Sequence, residues 1–454
     1  MPSTERITER ERAVRDFFAR ESGALARACH AMARAFARGG TLIAFGSGPA
    51  ATDAAHAAVE FLHPVIVGKR ALPALAPGND PTSLSTLAQL ARPDDIALAL
   101  SHHPGDPAFS EFLDQARSLD LLTIAFTAAV PAGDRAVNGG HRSTAPEADH
   151  LFAVPGDDPD VVQEVQETAY HVLWELVHVF FDQPGLVEED AADACITCGD
   201  VAVTADVVEA RGVSAVIERD GAREQVATEL VEDVQVGDRL LCHAGVALEK
   251  VDPEPTGFLY PFLGGGTTDL DGVLDEVESS TLQKAEQVIG LRRQIDLEAV
   301  SRCGADIQGR LEAGGRLIAF GNGGSATDAQ DLAADALARG WSAIALGNDP
   351  ATVTAVANDV GFDQVYARQL VALARPGDVA VAISTSGGSA NLIAAMEETS
   401  GLGILTVAIA GHDGGRLAEV EGLDHLFVVP SDHIPRIQEV QATICHLLLD
   451  QANR

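Results

Sequence analysis

The densest chemistry in this sequence lies where three serines and one threonine crowd two glycines, at Ser384-Thr385-Ser386-Gly387-Gly388-Ser389. Hydroxyls and glycine amides at that spacing converge their donors on one small volume, as a phosphate needs. An upstream loop, Gly321-Asn322-Gly323-Gly324-Ser325, adds a second set of donors. Glycine tolerates positive φ and lets main-chain N–H groups approach a ligand closely. The start of the following helix carries partial positive charge, so the loop is a natural seat for an anion. Asn322, Gly323, Ser325, Ser384, Thr385, Ser386 and Ser389 are therefore the candidate substrate contacts.

The same kind of element must hold both loops. Each follows a short apolar run, Leu317 to Phe320 and Val379 to Ile383, and each leads into a helical segment. Two consecutive strand–loop–helix units predict a parallel sheet with ligand outside the carboxyl ends of its strands. The N-terminal part repeats the pattern. TLIAFGSGPAATDAAHAAVEF copies RLIAFGNGGSATDAQDLAAD, and Gly46 to Gly321, Asp53 to Asp328 and Gln163 to Gln438 are each 275 apart. A repeat of that length reads as a duplicated domain. The expected architecture is two doubly wound α/β units, 1–185 and 275–454, around a smaller inserted unit.

The copies differ where the chemistry is. In copy one the hydroxyl loop reads Ser101-His102-His103-Pro104-Gly105-Asp106, and the carboxylate of Asp106 repels a phosphate. Copy one also lacks 14 residues between Asn79 and Ala91, the counterpart of ANDVGFD in copy two. Copy one is thus a poor phosphate site.

The stretch from Leu311 to Leu449 resembles a sugar isomerase (SIS) domain of phosphoheptose isomerase type. GNGGSATDAQ, ANDVGFD, ARPGDV, ISTSGGSANL and RIQEVQATICH stand in the order used by that family. The resemblance implies that the STSGGS loop holds the phosphate of a sugar phosphate. It also implies a metal set on two helices: a His and a Glu four residues apart, then a Gln and a later His. The Glu and the later His serve in proton transfer as well. In copy one those positions hold His56, Glu60, Gln163 and His171; in copy two they hold Asp331, Asp335, Gln438 and His446. The spacings are sound, because residues i, i+4 and i+8 share a helix face. Imidazole and carboxylate suit zinc. The catalytic carboxylate is then Glu60 or Asp335, and the catalytic imidazole His171 or His446. Because SIS units of this resemblance form sites between subunits, the reciprocal losses suggest a composite site. Copy one would give the metal and acid/base groups and copy two the phosphate loop. The simpler alternative keeps any activity within copy two. A homo-oligomer is also expected.

Between the copies, residues 194–252 alternate in strand fashion with tight turns at Arg219-Asp220-Gly221 and Val236-Gly237-Asp238, predicting a small OB-like β-barrel. This unit resembles the HypC/HupF hydrogenase-assembly chaperones, chiefly over GAREQVATELVEDVQVGDRLLCHAGVALEKVD. The resemblance implies an iron fragment on Cys195 and His243, and hydrogenase maturation proteins as partners. Gly199-Asp200 replaces the family's Pro-Gly, and Cys195 is internal. Residues 253–274 read as a Pro- and Gly-rich linker, followed by a helix from Leu274 to Glu312.

Composition narrows the setting. A net charge of −36 disfavours nucleic acid and anionic membranes as partners. No apolar run reaches a membrane span, the charged start is not a leader peptide, and six scattered cysteines suit a reducing cytoplasm. Two functions of different class remain. One is an aldose–ketose isomerase acting on sedoheptulose 7-phosphate or a similar sugar phosphate. The other is a non-catalytic [NiFe]-hydrogenase assembly factor whose SIS pair carries a sugar phosphate.

Overall fold

The computed structural model describes residues 3–64, 69–78, 83–129, 147–183, 186–187, 203–210, 214–219, 222–228, 234–243, 246–250, 270–399 and 401–453. Copy one runs α1 (Ser3–Ala37), β1 (Leu42–Gly46), α2 (Ala51–Leu62), β2 (Ala74–Leu75), α3 (Ser83–Leu90), β3 (Ile96–Leu100), α4 (Pro107–Ser118), β4 (Leu122–Ala128), β5 (His150–Val154) and α5 (Pro159–Phe181). The middle unit holds β6 (Val203–Ala210), β7 (Ser214–Arg219), β8 (Ala222–Ala227), β9 (Arg239–His243) and β10 (Val246–Lys250). Copy two runs α6 (Leu270–Arg292), α7 (Leu297–Glu312), β11 (Leu317–Gly321), α8 (Gly324–Ala338), β12 (Ala343–Ala345), α9 (Pro350–Asp359), α10 (Val365–Leu373), β13 (Val379–Ser384), α11 (Ala390–Glu398), β14 (Leu405–Gly411), β15 (His425–Val429) and α12 (Ile434–Ala452).

Each copy is a five-stranded parallel sheet, ordered β2-β1-β3-β4-β5 and β12-β11-β13-β14-β15. The registers match as well: Gly46 pairs with Leu100 and Gly321 with Ile383, so equivalent loops leave equivalent strand ends. Strands such as Ile96–Leu100 and Val379–Ser384 are buried along their whole length. That is the pattern of a parallel sheet covered on both faces, and it explains why these runs read as continuously apolar. One apolar core runs through both copies, joining Phe17 and Trp174 to Val288 and Leu448. The two copies therefore fold against each other, and α2 packs on α8 while α5 packs on α12.

The middle unit is a mainly antiparallel sheet in which β7 pairs with β6 and β8, and β9 with β6 and β10. A single parallel pair, Val246 with Ala227, joins β10 to β8. Its small core holds Val207, Ile217, Leu240 and Cys242.

The structure corrects one element. The single helix expected from Leu274 to Glu312 begins at Leu270 and breaks after Arg292. Asp296 accepts from the amides of Glu298 and Ala299 and so starts a new helix. A side chain that satisfies the first N–H groups of a helix favours a fresh start over continuation. Of the expected linker, 253–269 lie outside the described residues.

Candidate functional site

Helix geometry brings the copy-one set together. His56 and Glu60 lie one turn apart on α2, and His171 lies on α5; all three are buried. His56 Nε2 is 3.7 Å from Glu60 Oε1, and the His56 and His171 rings are 5.2 Å apart. Copy two closes the site. Asp328 Oδ1 lies 3.3 Å from His56 Nδ1, and Glu439 Oε1 accepts from His171 Nδ1 at 2.9 Å. Each imidazole is thus anchored through Nδ1 by a carboxylate of the other copy, which aims its Nε2 inward.

The glutamine beside this set is not Gln163. It is Gln438 of copy two, whose Nε2 lies 3.1 Å from His56 Nε2 and donates to Glu60 Oε1 at 3.4 Å. Gln163 instead donates to Asp53 Oδ1 at 2.8 Å. Packing α5 against α12 brings each glutamine to the seam between copies, and spacing within one copy carries no information about that exchange.

The glycine loop forms the opposite wall. Gly323 adopts φ +56°, a conformation open to glycine, and heads α8. At Gly324 a Cβ would meet Gln438 Nε2 at 2.2 Å and His56 Nε2 at 2.5 Å, so only a glycine lets the loop reach the set. Asn322 exchanges two hydrogen bonds with Asn391, tying this loop to the helix that follows the hydroxyl loop. The Tyr366 hydroxyl donates to the Gly321 carbonyl from the segment that copy one lacks. Ser325 is buried.

In the hydroxyl loop, Ser384 Oγ accepts from the Gly387 amide and Ser386 Oγ from the Gly388 amide, at 3.0 and 3.2 Å. Ser386 is exposed, and Thr385 and Ser389 are half-buried. Ser389 stands at the head of α11 without capping it, which leaves the helix amides facing the loop. The copy-one counterpart is filled from within. Asp106 caps α4 by accepting from the amides of Ala108 and Phe109, and it also accepts from Ser101 Oγ at 3.3 Å. Its carboxylate occupies the donors that a phosphate would use.

Electrostatics sharpen the contrast. Burial alone would favour neutral His56, but Asp328 and then Glu60 outweigh it and hold its pKa well above the usual imidazole value. Burial would raise Glu60, yet His56, then His171 and Gln438, pull it below the usual carboxylate value. Burial and then His56 push His171 well down, so it stays a neutral base. Glu167, one turn before His171, is pushed well up, by burial first and then by Asp328. Several buried atoms here have no hydrogen-bond partner among the described residues: Glu60 Oε2, His171 Nε2, Gln438 Oε1 and both oxygens of Glu167. His56, Glu167 and His171 offer ligand atoms all within 4.8 Å of one another, a cluster able to coordinate a metal. Neutral imidazole, carboxylate and amide oxygen atoms that lack partners inside a protein fit a divalent cation.

The copy-two set is assembled differently. His446 Nδ1 donates to Glu164 Oε1 at 2.8 Å, and its Nε2 lies 3.9 Å from Asp331 Oδ2 and 3.7 Å from Asp335 Oδ2. Asp160, Asp335 and His446 also cluster within 4.8 Å. Here, however, Arg339 lies 2.7 Å from Asp160 and 3.1 Å from Asp335, supplying a cation from the chain itself. Asp331 accepts from Thr52 Oγ1 at 3.1 Å. Burial, against the pull of His446, raises Asp335 to about 6.

The sequence reading missed Glu167, Asp328 and Glu439. Glu167 lies midway between Gln163 and His171 in the same i, i+4, i+8 row, which was the available signal. Asp328 and Glu439 act across the seam and leave no trace in spacing. In the middle unit, Cys195 lies outside the described residues, and His243 ends β9, opposite Val246.

The SIS domain profile matches residues 7–128 and 285–411, together more than half of the chain. The chain belongs to the SIS-domain family. It is a tandem SIS protein, and the HupF/HypC family profile matches residues 201–256 between the two units. Phosphoheptose isomerase of Geotalea daltonii is 42% identical over 186 residues, which cover 39% of this chain and 94% of the relative. Phosphoheptose isomerase of Roseiflexus sp. is 40% identical over 190 residues, covering 40% and 92%. Among solved structures, the C-terminal domain of glucosamine-fructose-6-phosphate aminotransferase from Francisella tularensis aligns over 98% of this chain and 93% of its own, with TM-score 0.56 and 11% identity. That likeness concerns the fold. Over the matched part of the chain, these relatives support an isomerase-like, sugar-phosphate-binding SIS domain. Among the described residues no helix is long and apolar enough to cross a membrane.

Proposed function

We propose that the protein is an aldose–ketose isomerase of phosphoheptose type, acting on sedoheptulose 7-phosphate or a similar sugar phosphate in the cytoplasm. The observation that carries this reading is the meeting of His56, Glu60 and His171 from one SIS unit with Gly324 and Gln438 from the other. Asn322 ties the glycine loop of this site to the helix that follows the hydroxyl loop, where Ser386 is exposed and Ser389 does not cap α11. Ser384, Thr385, Ser386, Ser389 and the head of α11 hold the phosphate, while Asn322, Gly323 and Ser325 line the approach to the sugar. Glu60, kept ionised beside His56, removes the proton from the carbon next to the carbonyl and returns it to the neighbouring carbon. His171, held neutral with Nε2 inward, moves the proton on the oxygens. His56, His171 and Gln438 are among the residues that would hold zinc, whose chemistry at such a set would be polarisation of the carbonyl. Asp331, Asp335 and His446 form the second, silent set, so one sugar phosphate binds per chain.

The HupF/HypC match supports a second reading, a hydrogenase assembly factor whose middle unit closes as a small barrel and carries an iron fragment on Cys195 and His243. Zinc-loaded protein incubated with sedoheptulose 7-phosphate decides between them. Formation of the aldose heptose phosphate, lost in His171→Ala and kept in His446→Ala, is the expected result. A folded protein without turnover, purified with iron, overturns the isomerase in favour of the assembly factor.

A further inference from the structure

We propose that Glu167 is a direct ligand of a divalent cation held by His56 Nε2 and His171 Nε2, which frees Glu60 for proton transfer. Three independent observations meet here. Glu167 is fully buried on α5, and neither of its oxygens finds a partner among the described residues. It lies with His56 and His171 in a cluster whose ligand atoms are all within 4.8 Å of one another. Both imidazoles are tied through Nδ1 to carboxylates, His171 to Glu439 at 2.9 Å and His56 to Asp328 at 3.3 Å. A carboxylate behind each imidazole is the arrangement that orients a metal-binding histidine and raises its basicity. His171 Nε2 is itself buried and has no hydrogen-bond partner among the described residues.

The duplication supplies an internal control. The position equivalent to Glu167 in copy two, 275 residues on, is Ala442. The copy-two site has Asp160 as its added carboxylate, and Arg339 lies against both it and Asp335. The added acid of the copy-two site is met by Arg339, whereas Glu167 has no hydrogen-bond partner among the described residues. Two imidazoles and a carboxylate complete three ligand positions for a divalent transition cation. Glu60, already bonded by Gln438, keeps Oε2 available for a substrate proton.

This inference shares the metal of the isomerase reading but is tested without substrate. The full chain is stripped with a chelator and titrated with cobalt(II), following visible absorption; zinc affinity is then measured by competition. Glu167→Gln, which keeps the side-chain shape, is expected to bind about ten- to a hundredfold more weakly and to change the cobalt spectrum. Glu60→Gln is expected to keep both the affinity and the spectrum. Should Glu167→Gln fail to fold by circular dichroism, Glu167→Asp serves, with weakened binding and an altered spectrum expected. Unchanged affinity and spectrum in the folded variant overturn the proposal and make Glu167 a neutral buried acid. Loss of binding in Glu60→Gln alone overturns it in favour of Glu60 as the ligand. Metal binding that depends on Glu167 in a protein without turnover would end the isomerase reading and leave this one standing.

Discussion

The two seams between the SIS units have the same backbone and opposite chemistry. At one, His171 Nε2, Glu60 Oε2, Gln438 Oε1 and Glu167 are buried without hydrogen-bond partners among the described residues, and Ser389 makes no side-chain cap to its helix. At the other, Arg339 answers Asp160 and Asp335, and Asp106 caps α4 and takes the place of an anion. Buried polar groups are normally paired, so a cluster of orphans marks where a ligand completes the structure. At the second seam Gln163 Oε1 is also buried without a hydrogen-bond partner among the described residues, and Pro49 stands where the other loop has Gly324.

Paired substitutions at equivalent positions break or sharpen that contrast. The largest separation is expected between the two carboxylates: Glu60→Gln should lower kcat by about 10²–10⁴-fold, the range for losing a general base. Asp335→Asn should leave kcat unchanged in the same isomerase assay, and equal losses would sink the one-site reading. Next comes Gly324→Ala, whose methyl would collide with Gln438 and His56. A displacement of about 1 Å at reacting groups costs about a hundredfold, whereas Pro49→Ala should cost nothing in turnover. Ser389→Ala should raise KM about tenfold, the effect of one hydrogen bond to a charged group. Asp106→Ala should leave KM alone and lose about 1 kcal/mol in urea unfolding, the value of a helix cap. The smallest effect belongs to Arg339→Ala, with about 1 kcal/mol of stability lost at a partly buried pair and no change in bound metal.

Much of the fold and part of the site were legible from local pattern. Apolar runs followed by glycine loops and helices gave the strands because parallel strands are covered on both faces. The 275-residue offset gave the duplication, and the resemblance to phosphoheptose isomerases gave His56, Glu60, Gln163 and His171 as one set, of which His56, Glu60 and His171 lie together. The helix break at Asp296 was missed because a lone Asp within a helical pattern signals a cap only weakly.

The chain by itself determined the two SIS units, the intact and the spoiled hydroxyl loops, and the residue types at each helical face. Those follow from periodicity and from side-chain chemistry, which are properties of neighbours along the chain. Only the tertiary structure decided which groups meet. It exchanged Gln163 for Gln438, brought Asp328 and Glu439 behind the imidazoles of the other copy, and set Arg339 against Asp160. The reason is physical: the seam is built by α2 on α8 and α5 on α12, and partners there are fixed by how helices far apart in sequence pack, not by their spacing.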